Sequence, residues 1–222
     1  MTEANLAISD FAALKVRQRS LRDAWPQPFA LRIHRAISWI GRAEQEHEDR
    51  AAAFLFLWIA FNAAYGGERT EPGERDAFGR YFERLTAMDA PGRLYGLVWS
   101  TFPGPIRLFL ENRYVFAPFW RYHHGEAGAE DWEARFDFAR RRFHTALRQK
   151  DTVLILSMLF DRLYVLRNQL IHGGATWNSG TNRDQLRDGA AILRSFVPVM
   201  VDVMMETPEG DWGVPMYPVV EG

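Results

Sequence analysis

The chain has no cysteine, which removes disulfides, thiolate nucleophiles and cysteine-ligated zinc from consideration and suits a reducing compartment. Lysine is nearly missing as well, occurring only at Lys15 and Lys150, so arginine carries almost all the positive charge. A formal net charge of −1 gives no global pull toward nucleic acid or acidic membranes, and any polyanion site has to be local. No apolar run reaches the ~18–20 residues of a bilayer span. The longest, AAAFLFLWIAF from Ala51 to Phe61, is interrupted at Asn62 and reads as a core helix. The opening MTEANLAISDF lacks the basic and apolar regions of a secretion signal, so a cytoplasmic protein with no membrane partner is expected. Internal repeats, low-complexity blocks and bounded β-alternation are missing too. There is no glycine-rich phosphate loop, nucleophile elbow or kinase signature, so nucleotide hydrolysis and serine chemistry have no support.

What remains is helical periodicity. With 222 residues and 47% hydrophobic content, the chain can bury a sizeable core. The expected architecture is all-α, a single helical domain over 1–222. Long helices are predicted over Asn5 to Ala24, Phe29 to about Glu46, Glu48 to Tyr65, Asp131 to about Gln149, and Asn182 to Met205. In the second of these, Leu31, Ile33, Ala36, Ile37 and Ile40 alternate with Arg32, Arg35 and Arg42 at helical spacing. The third is apolar nearly all round, which suggests the middle of a bundle. If Asn62 is buried there, its amide needs partners. Between about 74 and 124 one amphipathic helix (Phe78, Tyr81, Phe82, Leu85) is followed by short aromatic-rich pieces punctuated by PGR, FPGP and APFWRYHHGEAG. This reads as a helical insertion packed on the bundle. The tail from about 207 to 222, TPEGDWGVPMYPVVEG, should run extended along its own bundle or a partner.

The segment with the most chemistry is RNQLIHGG, Arg167 to Gly174, at the end of a helix that follows a short break near Asp151. Leu156, Leu159, Leu163, Leu166 and Leu170 occupy a sector of about 80° and form its seam. Asp161, Tyr164, Asn168 and His172 cluster on the other side, with Arg167 about 140° from His172 at the sector's edge. The plainer reading is an exposed helix end stopped by two glycines.

R-N-x-x-x-H followed by glycine, at a helix end in an all-α chain, resembles the signature of the HEPN superfamily of helical ribonucleases and nucleotide-associated domains. FLFLWIAFNAAYG is similar, less specifically, to the central helix of bacterial HEPN-like proteins. The resemblance implies metal-independent RNA cleavage in the cleft of a homodimer, with RNA as substrate and no cofactor. It also implies toxin or phage-defence roles, with an antitoxin or other protein partner. Cleavage through the ribose 2′-hydroxyl needs a base, an acid and cations on the developing phosphorane. Two copies of His172 and Arg167 across a two-fold axis would supply them, with Asn168 orienting histidine or phosphate and Tyr164 and Asp161 on the substrate side. The rival reading is a non-catalytic HEPN-like module that binds nucleotide, RNA or protein through the same cleft.

Two further groups stand out. Arg135, Arg140, Arg141, Arg142, Arg148 and Lys150 outweigh Asp131, Glu133 and Asp137 and interleave with aromatics, as on an RNA-tracking surface or simply a solvated face. Neither His123 and His124 with Glu126 nor Glu44, His47 and Glu48 has the spacing of a metal site, and no metal is assigned.

Overall fold

Side-chain oxygens fix where three of these helices begin. In the computed structural model, Asp10 accepts a hydrogen bond from the Ala13 amide and starts α1 (Phe11–Leu21). The structure describes residues 10–66, 74–174, 176–177, 180, 183–215 and 217–218, with 74–77 described by backbone alone. The expected start at Asn5 and the cap at Asn182 lie outside these residues. There follow α2 (Gln27–Glu44), α3 (Arg50–Tyr65), α4 (Glu74–Met88), α5 (Arg93–Gly96), α6 (Pro103–Leu110) and α7 (Ala117–His123). Then come α8 (Trp132–Gln149), α9 (Thr152–Ile171) and α10 (Arg183–Glu206). Among the described residues every regular element is helical, including a π turn at Leu97–Thr101 and a 3₁₀ turn at Arg113–Val115. Asp49 caps α3 through the Ala52 amide, and Asp151 caps α9 through the Leu154 amide, both at 2.9 Å. The break before α9 has a second cause: Lys150 sits at φ 53°, a left-handed conformation that ends α8.

The described residues form two compact units. One takes those up to 66, 87–94, and those from 190 on; the other takes 74–86 and 95–189. The aromatic pieces that follow α5 therefore share a unit with α9, the helix that carries RNQLIHGG.

In the first unit α2 packs along α3, and Ile33, Ala36, Ile37 and Ile40 are enclosed as their spacing predicts. Arg32, one turn before Ala36 and about 40° from it on the wheel, sits with the core rather than with Arg35 and Arg42. It is fully buried, and its guanidinium donates to the carbonyls of Ala64 at 2.8 Å, Gly66 at 2.6 Å and Gly213 at 3.2 Å. It thus satisfies carbonyls at the C-terminal end of α3, which have no partner within the helix, and binds the tail with the same fork. The tail runs without regular structure along its own unit: Trp212 is buried, and Arg35 donates to the Tyr217 carbonyl at 2.6 Å. α3 is not enclosed all round. Phe54, Leu57, Trp58 and Phe61 are buried, while Ile59 and Asn62 are exposed, so the Asn62 amide is solvated and needs no buried partner.

The second unit is built on aromatic contacts. Phe160 of α9 meets Phe82 of α4 at 4.9 Å between ring centres. Phe116, Phe119 and Trp132 form a further buried cluster, with Trp120 and Phe136 against it. Leu156, Leu159, Leu163 and Leu166 are fully enclosed, and Leu170 is half-buried where α9 emerges.

Candidate functional site

α9 is packed on more sides than its seam. Val165, roughly opposite Leu156 on the wheel, is buried, and so is Arg162, whose guanidinium carbon lies 4.3 Å from the Phe116 ring centre. α6, α8, the π turn and the 3₁₀ turn all contact this helix. The polar sector is consequently narrower than its sequence pattern suggests: Asp161, Tyr164, Asn168 and Arg167 are half-buried. Full exposure begins only at Ile171 and His172.

At that end the geometry is specific. Arg167 donates through Nη1 to Oδ1 of its neighbour Asn168 at 2.9 Å. Its Nε is enclosed and has no hydrogen-bond partner, and no carboxylate pairs with the guanidinium among the described residues. The cation is therefore oriented but not neutralised. His172 is the C-cap residue, its amide donating to the Asn168 carbonyl at 3.0 Å. Gly173 follows at φ 69°, its amide on the Leu170 carbonyl, and the Gly174 amide closes on the Gln169 carbonyl. This pair of bonds is a Schellman cap, and it accounts for both glycines by backbone geometry. Arg167 and Asn168 are thus brought together, whereas no hydrogen bond joins Arg167 to His172.

The chain matches no family model, no curated protein and no solved structure. The site has to be read from its own geometry.

Two features of it had no signal in the sequence. Gln169, inside the motif, donates to the Tyr114 carbonyl at 2.6 Å, a partner 55 positions away, and so anchors the aromatic segment to the last turns of α9. Arg162 reads as an ordinary helical arginine but is buried against aromatic rings. On α8, Arg135 pairs with Asp131 at 2.7 Å and Arg140 with Asp137 at 3.7 Å, while Arg141 and Arg142 have no carboxylate partner among the described residues. No group of three or more His, Asp or Glu side chains there is disposed to hold a metal ion. The His123 and His124 rings pack toward Phe119 and Trp120 instead. No helix there is long and apolar enough to cross a membrane.

Proposed function

We propose that this chain is a HEPN-like, metal-independent endoribonuclease of the cytoplasm that acts as a homodimer. The observation that carries the reading is the guanidinium of Arg167, which has no carboxylate partner among the described residues and is held by Asn168 at the emerging end of α9, where His172 stands exposed. An arginine without a carboxylate keeps its full charge for a phosphate, and its planar fork suits two phosphate oxygens. One neutral His172 takes the 2′-hydroxyl proton, the 2′-oxygen attacks phosphorus, and a protonated His172 from the second copy gives its proton to the departing 5′-oxygen. The products are a 2′,3′-cyclic phosphate and a free 5′-hydroxyl. Both Arg167 side chains stabilise the charge that develops on the phosphorane.

A two-fold contact at this end also has apolar surface to cover. Ile171 beside His172 is 50% exposed, and Trp177 in the segment that follows is 75% exposed. Such groups favour association once an interface encloses them. Asp161 and Tyr164, half-buried along the same helix, act on the substrate side at most through the edges they leave accessible. A toxin or phage-defence setting, with an antitoxin as partner, follows from the HEPN resemblance.

The test is cleavage of RNA in the presence of EDTA by the wild type, His172→Ala and Arg167→Ala, with sedimentation of each. A dimer is expected, and a 2′-deoxy substitution at the cut site should abolish cutting. Each variant should lose at least ~10²-fold in rate. A folded His172→Ala protein that cuts as fast as the wild type would sink the nuclease reading and leave the non-catalytic binding module.

A further inference from the structure

The aromatic segment tied to α9 by Gln169 has a cleft of its own. It has a volume of about 510 Å³, within the range of small-molecule sites, and lies wholly inside the second unit. Ring contacts run in a chain along it: Tyr114 to Phe119 at 5.5 Å, Phe119 to Trp132 at 5.1 Å, and Trp132 to Tyr122 at 6.3 Å between centres. Phe119 and Trp132 are buried and form the floor, whereas Tyr114 and Tyr122 are each 44% exposed and present ring surface to an incoming ligand. Tyr114 is fixed from behind, because its carbonyl accepts from both Trp120 Nε1 at 2.8 Å and Gln169 Nε2 at 2.6 Å.

The polar groups around these rings narrow the ligand class. The Arg113 guanidinium lies 5.1 Å from the Tyr114 ring centre and donates to its hydroxyl at 3.2 Å. A cage for a quaternary ammonium needs open aromatic faces, and here a cation already occupies one of them. A planar, neutral ring stacks on tyrosine without that repulsion. Glu130 and Glu133 also line the cleft, and neither has an ion-pair partner among the described residues. A carboxylate only accepts hydrogen bonds, so it selects a base edge rich in donors. Guanine places a ring N–H and an amino group side by side on its Watson–Crick edge. Cytosine and adenine offer an amino group beside an acceptor, and uracil one N–H between two carbonyls.

We propose that this cleft binds a guanine base of single-stranded RNA, stacked on Tyr114 and Tyr122 and read by Glu133 or Glu130. It rests on the ribonuclease reading for the identity of the nucleic acid, and it adds to that reading a base-recognition site coupled through Gln169 to the motif helix. Unpaired bases stacked on aromatic side chains and read along their Watson–Crick edge are how single-stranded RNA is recognised.

The test uses the full chain and 2′-O-methyl oligonucleotides, which cannot be cut: a labelled uridine hexamer and the same hexamer with one guanosine, followed by fluorescence anisotropy. The guanosine-containing hexamer should bind more tightly. Tyr122→Ala and Tyr114→Ala should each weaken it by about 5- to 150-fold, the range for loss of one base-stacking ring. Both side chains are largely exposed, and circular dichroism confirms that the variants are folded. Glu130→Gln with Glu133→Gln should level the two hexamers while leaving the uridine hexamer unchanged, and inosine in place of guanosine should weaken binding by removing the amino group. Unchanged affinity in folded tyrosine variants overturns the proposal, as does capture of a trimethyl-lysine peptide in place of either hexamer. Tyrosine-dependent binding by a protein that does not cut ordinary RNA keeps the cleft and removes the nuclease. Cutting that depends on His172 with tyrosine-independent binding does the reverse.

Discussion

Arginine does different work in the two units. In the first, the arginines drawn into the fold are tied to backbone carbonyls or to carboxylates, although Arg32 keeps a buried Nε without a hydrogen-bond partner among the described residues. Arg32 meets four carbonyls, and Arg93 donates to Asp89 at 3.2 Å and to Asp202 and Glu206 at 2.6 Å each. Arg17 joins the same Asp202 and Glu206. Burial opposes the charge on Arg93, but its hydrogen bonds to Asp89 and Glu206 and the attraction of Glu206 and Asp202 outweigh it and raise its pKa above the ordinary arginine value. In the second unit Arg113 and Arg162 lie over aromatic rings, while Arg141, Arg142 and Arg167 have no carboxylate partner among the described residues. Engaged cations hold helices and tail together. Those without a carboxylate among the described residues leave charge available to a ligand, which is the feature the proposed ribonuclease reading uses.

The sharpest way to break this contrast is to remove one arginine of each kind and compare stability. Arg32→Met should lower unfolding free energy by about 3 kcal/mol, since several carbonyls lose the charged donor of a fully buried side chain. The tail should become more open to proteolysis. Arg167→Ala should cost less than about 1 kcal/mol, because the side chain is half-buried and takes an unsatisfied N–H away with it. Chemical denaturation measures both. Equal losses would mean that Arg167 is structural and would undercut its assignment to phosphate.

The helices were legible because apolar residues at helical spacing have one physical outcome: Ile33, Ile37 and Ile40 on α2, and Leu156 through Leu166 on α9, are buried as spacing predicts. Legibility fails where a residue's partner lies far along the chain. The bonds of Arg32 left no trace in the periodicity of α2, because its partners are the end of α3 and a tail about 180 positions on. Val165 and Arg162 are buried because α9 has neighbours on several sides. The helix end at the motif could be found in sequence, since α9 stops at Ile171 just ahead of Gly173 and Gly174. The bond from Gln169 to Tyr114 and the aromatic cleft could not, because composition does not pair residues across 55 positions.

The glycines of the motif allow a smaller test on the second unit alone. Gly173 holds φ 69°, which a side chain disfavours by roughly 1–2 kcal/mol, so Gly173→Ala should cost about 1 kcal/mol and Gly173→Asn less. At Gly174 an added Cβ would lie 3.0 Å from the Gln169 carbonyl oxygen, so Gly174→Ala should also destabilise, by crowding rather than conformation. Thermal unfolding of the three variants reads this. If Gly173→Ala is as stable as the wild type but fails to cut RNA, the glycine serves substrate approach rather than the cap.

The smallest effect is expected on α8, and it separates an RNA-tracking surface from a merely solvated one. Phe138 is 57% exposed, and Arg141 and Arg142 lie within about 60° of it on the wheel without a carboxylate among the described residues. Arg140, one position away, is paired with Asp137. If RNA runs along this face, Arg141→Gln and Arg142→Gln should each weaken binding only a few-fold. Each should also lower the slope of log affinity against log salt by about 0.7, the value for one phosphate contact to a single strand. Arg140→Gln should change the slope less, because Asp137 already compensates its charge. Phe138→Ala should reduce affinity with the slope intact, since stacking releases no counterion. An unchanged slope in the first two variants means that α8 carries solvated charge alone, and that the phosphates follow Arg113 and Arg167 instead.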